Sequence, residues 1–371
     1  MKKSLPLLFV GATMALPAAA VENAELYGQV SKAVMVFDDS HATEAVFGDN
    51  DKTSTRFGVR ASQMLNNGLT ASVLLEVEIQ SAPTNAVTQN VTPGRATTPA
   101  NPAIGAGVAE RHTRVGLAGD WGAFFVGRTS TATDGIAEID IAGAADVMGS
   151  DVTRFGGGLQ FRSPTGGFSG VRVANVFDNL DGLFRSRSDR LPTLRYDSPI
   201  WNGLQGRAAV AQGGDMDVAM LYDATHGDWQ WRGGVGYAMN RSESSATTNA
   251  ADDHLVGSVS VRHASGIAAT LAGGRERLTN KTANRDTPVY GYAKLSYGWD
   301  AYELAVDYTK HDDMNLTTAA DHNAQAVGVA AQYNMGHGAS LAALYRHLTL
   351  DMAGTATDEI DVWVMALRVR F

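Results

Sequence analysis

Leu69, Ala71, Val73, Leu75, Val77 and Ile79 alternate with Thr70, Ser72, Leu74, Glu76, Glu78 and Gln80. A period of two places an apolar stripe on one face of an extended chain and mostly polar groups on the other. The pattern returns at Trp229, Trp231, Gly233, Val235, Tyr237 and Met239, at Tyr302, Leu304, Val306 and Tyr308, and at Val327, Val329, Ala331, Tyr333 and Met335. A chain built this way folds as many amphipathic strands.

The punctuation between strands alternates too. Tight turn chemistry occurs at Asn66-Asn67-Gly68, Gly119-Asp120-Trp121-Gly122, Ser198-Pro199-Ile200-Trp201-Asn202-Gly203, His226-Gly227-Asp228, Ala264-Ser265-Gly266, Gly298-Trp299-Asp300 and Gly336-His337-Gly338. Longer polar stretches lie between them, including Asp38–Lys52, Ser81–Ala109, Arg241–Asp253, Leu278–Pro288 and Asp312–His322. Short turns on one rim and long loops on the other describe a transmembrane antiparallel β-barrel. Strands of ~10 residues, tilted ~40°, span an apolar band of about 25 Å.

Sixteen strands follow from the pattern: 24–37, 53–62, 69–80, 110–119, 123–130, 191–198, 203–212, 216–225, 229–240, 254–263, 267–277, 289–297, 301–311, 323–334, 339–349 and 359–371. Val152–Arg162 and Phe168–Phe177 resemble one more hairpin. In the wall they would make eighteen strands; as an elaboration of the loop after the fifth strand they leave sixteen, the number we expect.

Residues 1–20 read as a secretory signal peptide. Lys2 and Lys3 give a positive start, Leu5 to Leu16 an apolar stretch, and Ala18-Ala19-Ala20 a small-residue cleavage site. The barrel domain then covers 21–371. Without those lysines the formal charge of −9 becomes more negative still, which disfavours nucleic acid as a partner. The absence of cysteine excludes disulfides and thiolate metal sites. No cofactor, metal or catalytic site is expected, because H-E-x-x-H, G-x-S-x-G and G-x-x-x-x-G-K are all missing. Gly156-Gly157-Gly158 and Gly233-Gly234-Val235-Gly236 sit in strand patterns, where glycine lets a wall curve or pack closely. Asp38-Asp39, Asp49-Asn50-Asp51 and Asp312-Asp313 read as solvated loop charges, with divalent cations as the alternative.

Several segments, in this order and spacing, resemble the general Gram-negative porin family over nearly the whole mature chain. They are Ala24-Glu25-Leu26-Tyr27-Gly28, Ser54-Thr55-Arg56-Phe57-Gly58-Val59-Arg60, Arg111-His112-Thr113-Arg114-Val115-Gly116-Leu117, Gly119-Asp120-Trp121-Gly122 with Gly127-Arg128, Arg195-Tyr196-Asp197-Ser198-Pro199, and the terminal Phe371. The resemblance implies a trimeric diffusion channel in the outer membrane, whose third loop folds inward opposite a basic wall. It implies small hydrophilic solutes and ions as cargo, contact with lipopolysaccharide and outer-membrane lipid, and insertion by the barrel assembly machinery. The assembly signal would include Trp363 and Phe371, although Val369 stands where the family often has an aromatic residue. Ser81–Ala109 becomes a candidate latch over a neighbouring subunit.

Strand parity directs Arg56, Arg60, Glu76 and Glu78 into the lumen. By resemblance Arg111 is the next basic wall position; Arg114, three residues on, has the opposite parity. Asp134, Glu138, Asp140 and Asp146 lie in the third loop, where the family's proline-glutamate-phenylalanine-glycine-glycine signature is absent. If that loop extends to residue 190, Arg154, Arg185, Arg187 and Arg190 also approach the constriction. Opposed charges there would screen solutes by charge and dipole. The alternatives are a solute-specific porin and a non-channel adhesin or receptor barrel.

Overall fold

A computed structural model describes residues 23–89, 107–183, 190–241, 249–279, 281–282, 286–316 and 321–371. The expected signal peptide lies outside these residues. The first strands are β1 (Asn23–Asp38), β2 (Thr43–Asp49), β3 (Arg56–Met64), β4 (Thr70–Ile79), β5 (Val108–Gly119) and β6 (Gly122–Ser130). Then come β7 (Gln160–Arg162), β8 (Phe168–Arg172), the one-turn helix α1 (Val173–Val176), β9 (Arg190–Asp197), β10 (Leu204–Ala211), β11 (Met216–His226) and β12 (Trp229–Met239). The chain finishes with β13 (Ala250–His263), β14 (Ile267–Thr279), β15 (Val289–Trp299), β16 (Tyr302–Asp312), β17 (His322–Gly336), β18 (Ala339–Met352) and β19 (Ile360–Arg370).

All sixteen expected strands form the wall, each antiparallel to the next, and β19 returns to β1 from Gln29↔Arg370 to Asp38↔Asp361. Closure satisfies the edge amides that hydrocarbon could not solvate. The apolar parity faces outward, where Trp363, Met365, Leu367 and Val369 are all exposed. Near the short-turn rim Tyr297, Trp299, Tyr302 and Tyr333 stack in sequence, with ring centroids 4.9–5.8 Å apart, as an interfacial aromatic belt.

One element departs from the expectation. Asp38–Lys52 is not simply a loop, because β2 lies within it. The lower half of β1 pairs with β3 (Asn23↔Ser62 to Gln29↔Arg56), and its upper half pairs with β2 (Lys32↔Asp49 to Asp38↔Thr43). β2 spans only Thr43–Asp49 and lies among polar residues, too short for its alternation to stand out.

The candidate extra hairpin is not in the wall. β7 and β8 pair only with each other, inside the long segment between β6 and β9. Gly156-Gly157-Gly158 is accordingly not strand. Gly156 has φ +79°, and the three amides bond the carbonyls of Thr84, Thr153 and Asn85 in turn. A glycine run seals this corner because its backbone must meet two loops at once.

That segment fills much of the lumen and builds a second apolar core there. Phe155, Leu159, Phe161, Val173, Val176 and Phe177 bury against inward residues of β1 and β16–β19, among them Met35, Phe37, Ala305, Ala330, Leu344, Leu348, Val362 and Val364. Ala132, Ile136, Ala137 and Leu180 bury against Ala209, Ala219, Val256, Tyr290 and Tyr292 on β10, β11, β13 and β15. Each fully buried Phe, Leu or Val contributes roughly 1.5–3 kcal/mol, so these contacts fix the segment firmly. Gly234 and Gly236 mark the docking line: a Cβ at Gly234 would lie 2.9 Å from both Ile136 and Ile139, and one at Gly236 would lie 2.7 Å from Thr133. The lumen faces of β3–β5 and β9 carry charged residues instead, and β6 turns Phe125 inward.

Candidate lumen constriction

The uncovered wall begins with Arg56 on β3, Glu76 and Glu78 on β4, and Arg111 on β5. Arg111 Nε donates to Glu76 Oε1 at 2.6 Å, and its Nη1 donates to Glu78. Tyr27 donates to the other Glu76 oxygen at 2.8 Å, and Arg56 Nε lies 3.9 Å from that same oxygen. Two arginines thus face two carboxylates, and the group is close to charge-neutral.

A β-bulge reconciles Arg111 with Arg114. Glu76 pairs with His112 and Val77 with Glu110, leaving Arg111 as the extra residue. Both arginines therefore reach the lumen despite their opposite parity. Arg60 also points inward, but nearer the short-turn rim, where it grips Glu25 through two hydrogen bonds of 2.8 Å.

The loop's acids divide into two sets. Asp134 lies 3.6 Å from Arg190, at the start of β9. Glu138 accepts from Lys52 at 3.0 Å and Arg154 at 3.2 Å; Arg154 also reaches Asp151 at 2.6 Å and Asp51 at 3.3 Å. Burial pushes the Glu138 carboxyl up, but the charges of Lys52 and Arg154 outweigh it and hold the group well below the usual carboxylate range. Asp140 and Asp146 turn toward the wall instead. Asp140 takes hydrogen bonds from Lys294 and Thr270 at 2.8 and 2.6 Å, and Asp146 from Ser340 at 2.5 Å, with Arg368 2.6 Å away. Backbone amides continue the attachment: Gly143 to Ser296 and Ala144 to Glu303, both at 2.8 Å.

Sequence reasoning did not single out Lys52, Lys294, Arg207 or Arg368. Lys294 and Arg368 were legible as charges on an inward parity, but their acid partners come from a loop more than a hundred residues away. Arg195 and Asp197 fall within the Arg195-Tyr196-Asp197 segment and share one face of β9, where they pair at 2.8 Å. Arg185 and Arg187 lie outside the described residues.

The loop acids read as solvated are corrected at four positions, one of them Asp313, which is buried and accepts from the His322 amide at 3.2 Å. Asp39 is buried with Arg162 at 2.6 Å. Asp49, also buried, accepts from the amides of Ser81 and Ala82 and from Lys32. Asp51 accepts from Gln80 at 3.0 Å as well as from Arg154. Each anchors loop to loop, which is why it leaves water. The described start of the second loop folds inward: Thr84 and Asn85 accept from Gly156 and Gly158, and Gln89 exchanges hydrogen bonds with Gln160.

At the closing seam, Phe371 and Gly28 exchange backbone hydrogen bonds, both 3.0 Å. Trp363 lies 5.5 Å from Tyr345 on the outer face.

A family model described as Gram-negative porin matches residues 7–352. No curated protein matches the sequence. Among solved structures, OmpF of Salmonella typhi, in complex with daunomycin, superimposes with a TM-score of 0.60 at 12% identity, covering 94% of this chain and 97% of that one. An anion-selective porin from Comamonas acidovorans gives 0.58 at 14%, covering 94% and 99%. The trimer form of OmpT from Vibrio cholerae gives 0.56 at 14%, with the same two coverages.

Proposed function

Because the chain belongs to the Gram-negative porin family, and so forms an outer-membrane channel for solutes, we propose that its lumen passes small hydrophilic solutes and ions passively through a charged constriction. One observation carries the reading. The buried apolar side chains of the inward segment cluster with β1, β10, β11, β13 and β15–β19, whereas the inward charges of β3, β4 and β5 and the Arg195–Asp197 pair of β9 lie outside those clusters. Charges in such a place face water and generate a field across the path.

In this reading Arg56, Glu76, Glu78, Arg111 and Arg114 line one side of the constriction. Asp134 and Glu138 line the other, Asp140 and Arg154 hold the loop in place, and Arg60 lines the mouth below. The protein acts as a channel and not as an enzyme. Residues 1–20 direct export as a signal peptide and 21–371 form the barrel domain. Phe371 and Trp363 serve recognition by the barrel assembly machinery, and the outer face meets lipopolysaccharide and lipid. A homotrimer is the proposed assembly, as in the trimer form of OmpT. The second loop, Ser81–Ala109, is the proposed latch over a neighbouring subunit; its residues 90–106 lie outside the described residues.

Planar-bilayer recording of the purified, refolded protein tests this. Large ohmic steps are expected. Saturable block by one solute would replace the reading with a solute-specific porin, and absence of current would replace it with an adhesin or receptor barrel.

A further inference from the structure

β1 and β19 are the two ends of the wall, and their pairing is the one that closes it. They are also the strands farthest apart along the chain. Until they meet, each is a free edge whose amides and carbonyls hydrocarbon cannot satisfy. From inside the lumen, the middle of the chain holds both.

Two residues of the inward segment each grip both sides of this seam. The side chain of Asp146 accepts from Ser340 of β18 and lies 2.6 Å from Arg368 of β19. Its carbonyl accepts from Asn50, the residue after β2, at 3.0 Å. Toward the long-loop rim, Arg162 of β7 donates to Asp39, the residue after β1, at 2.6 Å. Its carbonyl accepts the amide of Asp358, two residues before β19, at 2.7 Å. Each residue thus uses its backbone on one side of the seam and its side chain on the other. An apolar layer joins the two grips. Leu159 and Phe161 are fully buried in one cluster with Met35 and Phe37 of β1 and with Val362 and Val364 of β19. The segment's other apolar cluster, around Ile136 and Leu180, includes no residue of β1 or β19. The hold on the seam therefore belongs to residues 144–177.

We infer that residues 144–177 are an internal clasp of the barrel: their docking brings β1 and β19 together and keeps the seam shut. The inference does not depend on what the lumen carries. A segment already seated on β16–β19 presents its β1-facing groups at high effective concentration. Closure then becomes a local docking step, and two edges separated by nearly the whole chain need not find each other unaided.

The sequence has no cysteine, so introduced cysteine pairs report closure directly. Ala33 and Ala366 face each other across the seam, and Ala305 and Ala330 face each other across β16 and β17; all four are buried. Directly opposed Cα atoms of antiparallel strands lie about 4.5–5.5 Å apart, within disulfide range. A33C/A366C and A305C/A330C are each placed in the full chain, refolded in detergent and oxidised. Disulfide yield is read from the band shift on gels run without reductant and normalised to the same pair in the otherwise unchanged chain. D146N/R162Q is expected to lower the seam yield several-fold, and L159N/F161N to lower it further. The β16–β17 pair, whose strands are joined by a tight turn, is expected to keep its yield in D146N/R162Q. Should L159N/F161N leave no folded barrel, D146N/R162Q decides alone. If the two pairs keep equal yields in D146N/R162Q, whether both high or both low, the segment does not clasp the seam and the inference is overturned.

Discussion

Lys294 of β15 donates to Asp140 of the inward loop at 2.8 Å, and no part of the lysine side chain is exposed. Breaking a buried pair by removing one partner costs about 3–5 kcal/mol, because the remaining charge is left uncompensated. K294M is therefore expected to loosen the loop and add current noise, while K294M/D140N costs less than the single change. Single-channel noise and the temperature at which the folded band is lost on gels measure both. Equal behaviour of the single and double variants would show that the pair does not hold the loop.

The second attachment is sensitive to acid. Burial raises the Glu138 carboxyl, but Lys52 and Arg154 bring it well below the usual range. A depressed carboxyl contributes stability that is fully present above its unfolded value and lost as pH falls through the lower folded value. Loop attachment is thus expected to persist through the ordinary glutamate range and to fail only in stronger acid. In K52M the failure moves toward that ordinary range. Conductance recorded at successively lower pH checks this; an identical acid threshold in parent and K52M would remove Lys52 from the account.

The wall was legible because lipid imposes one strict alternation, and all sixteen strands announce themselves through it. Docking of the loop was less legible. Ile360, Val362, Val364 and Ala366 face inward on β19, while Trp363, Met365 and Leu367 face lipid. Apolar residues on both parities are the sign of a second core inside the barrel, and the glycines at 234 and 236 give the line of contact. The partners of Lys294 and Arg368 were hidden for another reason: ion pairs between a wall and a distant loop leave no local spacing. The orientation of Arg111 and Arg114 escaped parity because one bulged residue reverses it.

The seam gives a prediction about assembly. Phe371 exchanges two backbone hydrogen bonds with Gly28, and its ring lies where a Cβ at Gly28 would stand, 2.6 Å away. Phe371 continues the outward stripe, whereas Arg370 lies on the opposite parity. Deleting Phe371 is expected to reduce the heat-modifiable folded fraction far more than R370E. Equal folded fractions for the two variants, measured by gel shift after outer-membrane extraction, would count against a seam role for Phe371.

Arg56 and Arg111 share one pair of carboxylates but not one role, so their charge reversals should separate. Arg56 reaches Glu76 only at 3.9 Å and keeps 31% of its side-chain surface exposed. R56E exchanges one solvated charge for another, so desolvation changes little, while the local potential changes by two charges where screening is weaker than in bulk. Ion preference is expected to shift toward cations with the folding yield almost intact. Arg111 bonds both Glu76 and Glu78 and keeps only 17% exposed. R111E would place a third carboxylate against Glu76 and Glu78 on the adjoining strand, a like-charge contact at a bulge where, among the described residues, Arg111 is the cation bonded to both acids. It is expected to shift preference in the same direction but to lower the folding yield as well, and R111E with E78R is expected to restore part of that yield. Reversal potentials in a salt gradient and the folded fraction on gels measure the two effects separately. If R56E leaves ion preference unchanged, Arg56 is lining only; if R111E folds as well as R56E, the bonds to Glu76 and Glu78 do not hold this part of the wall.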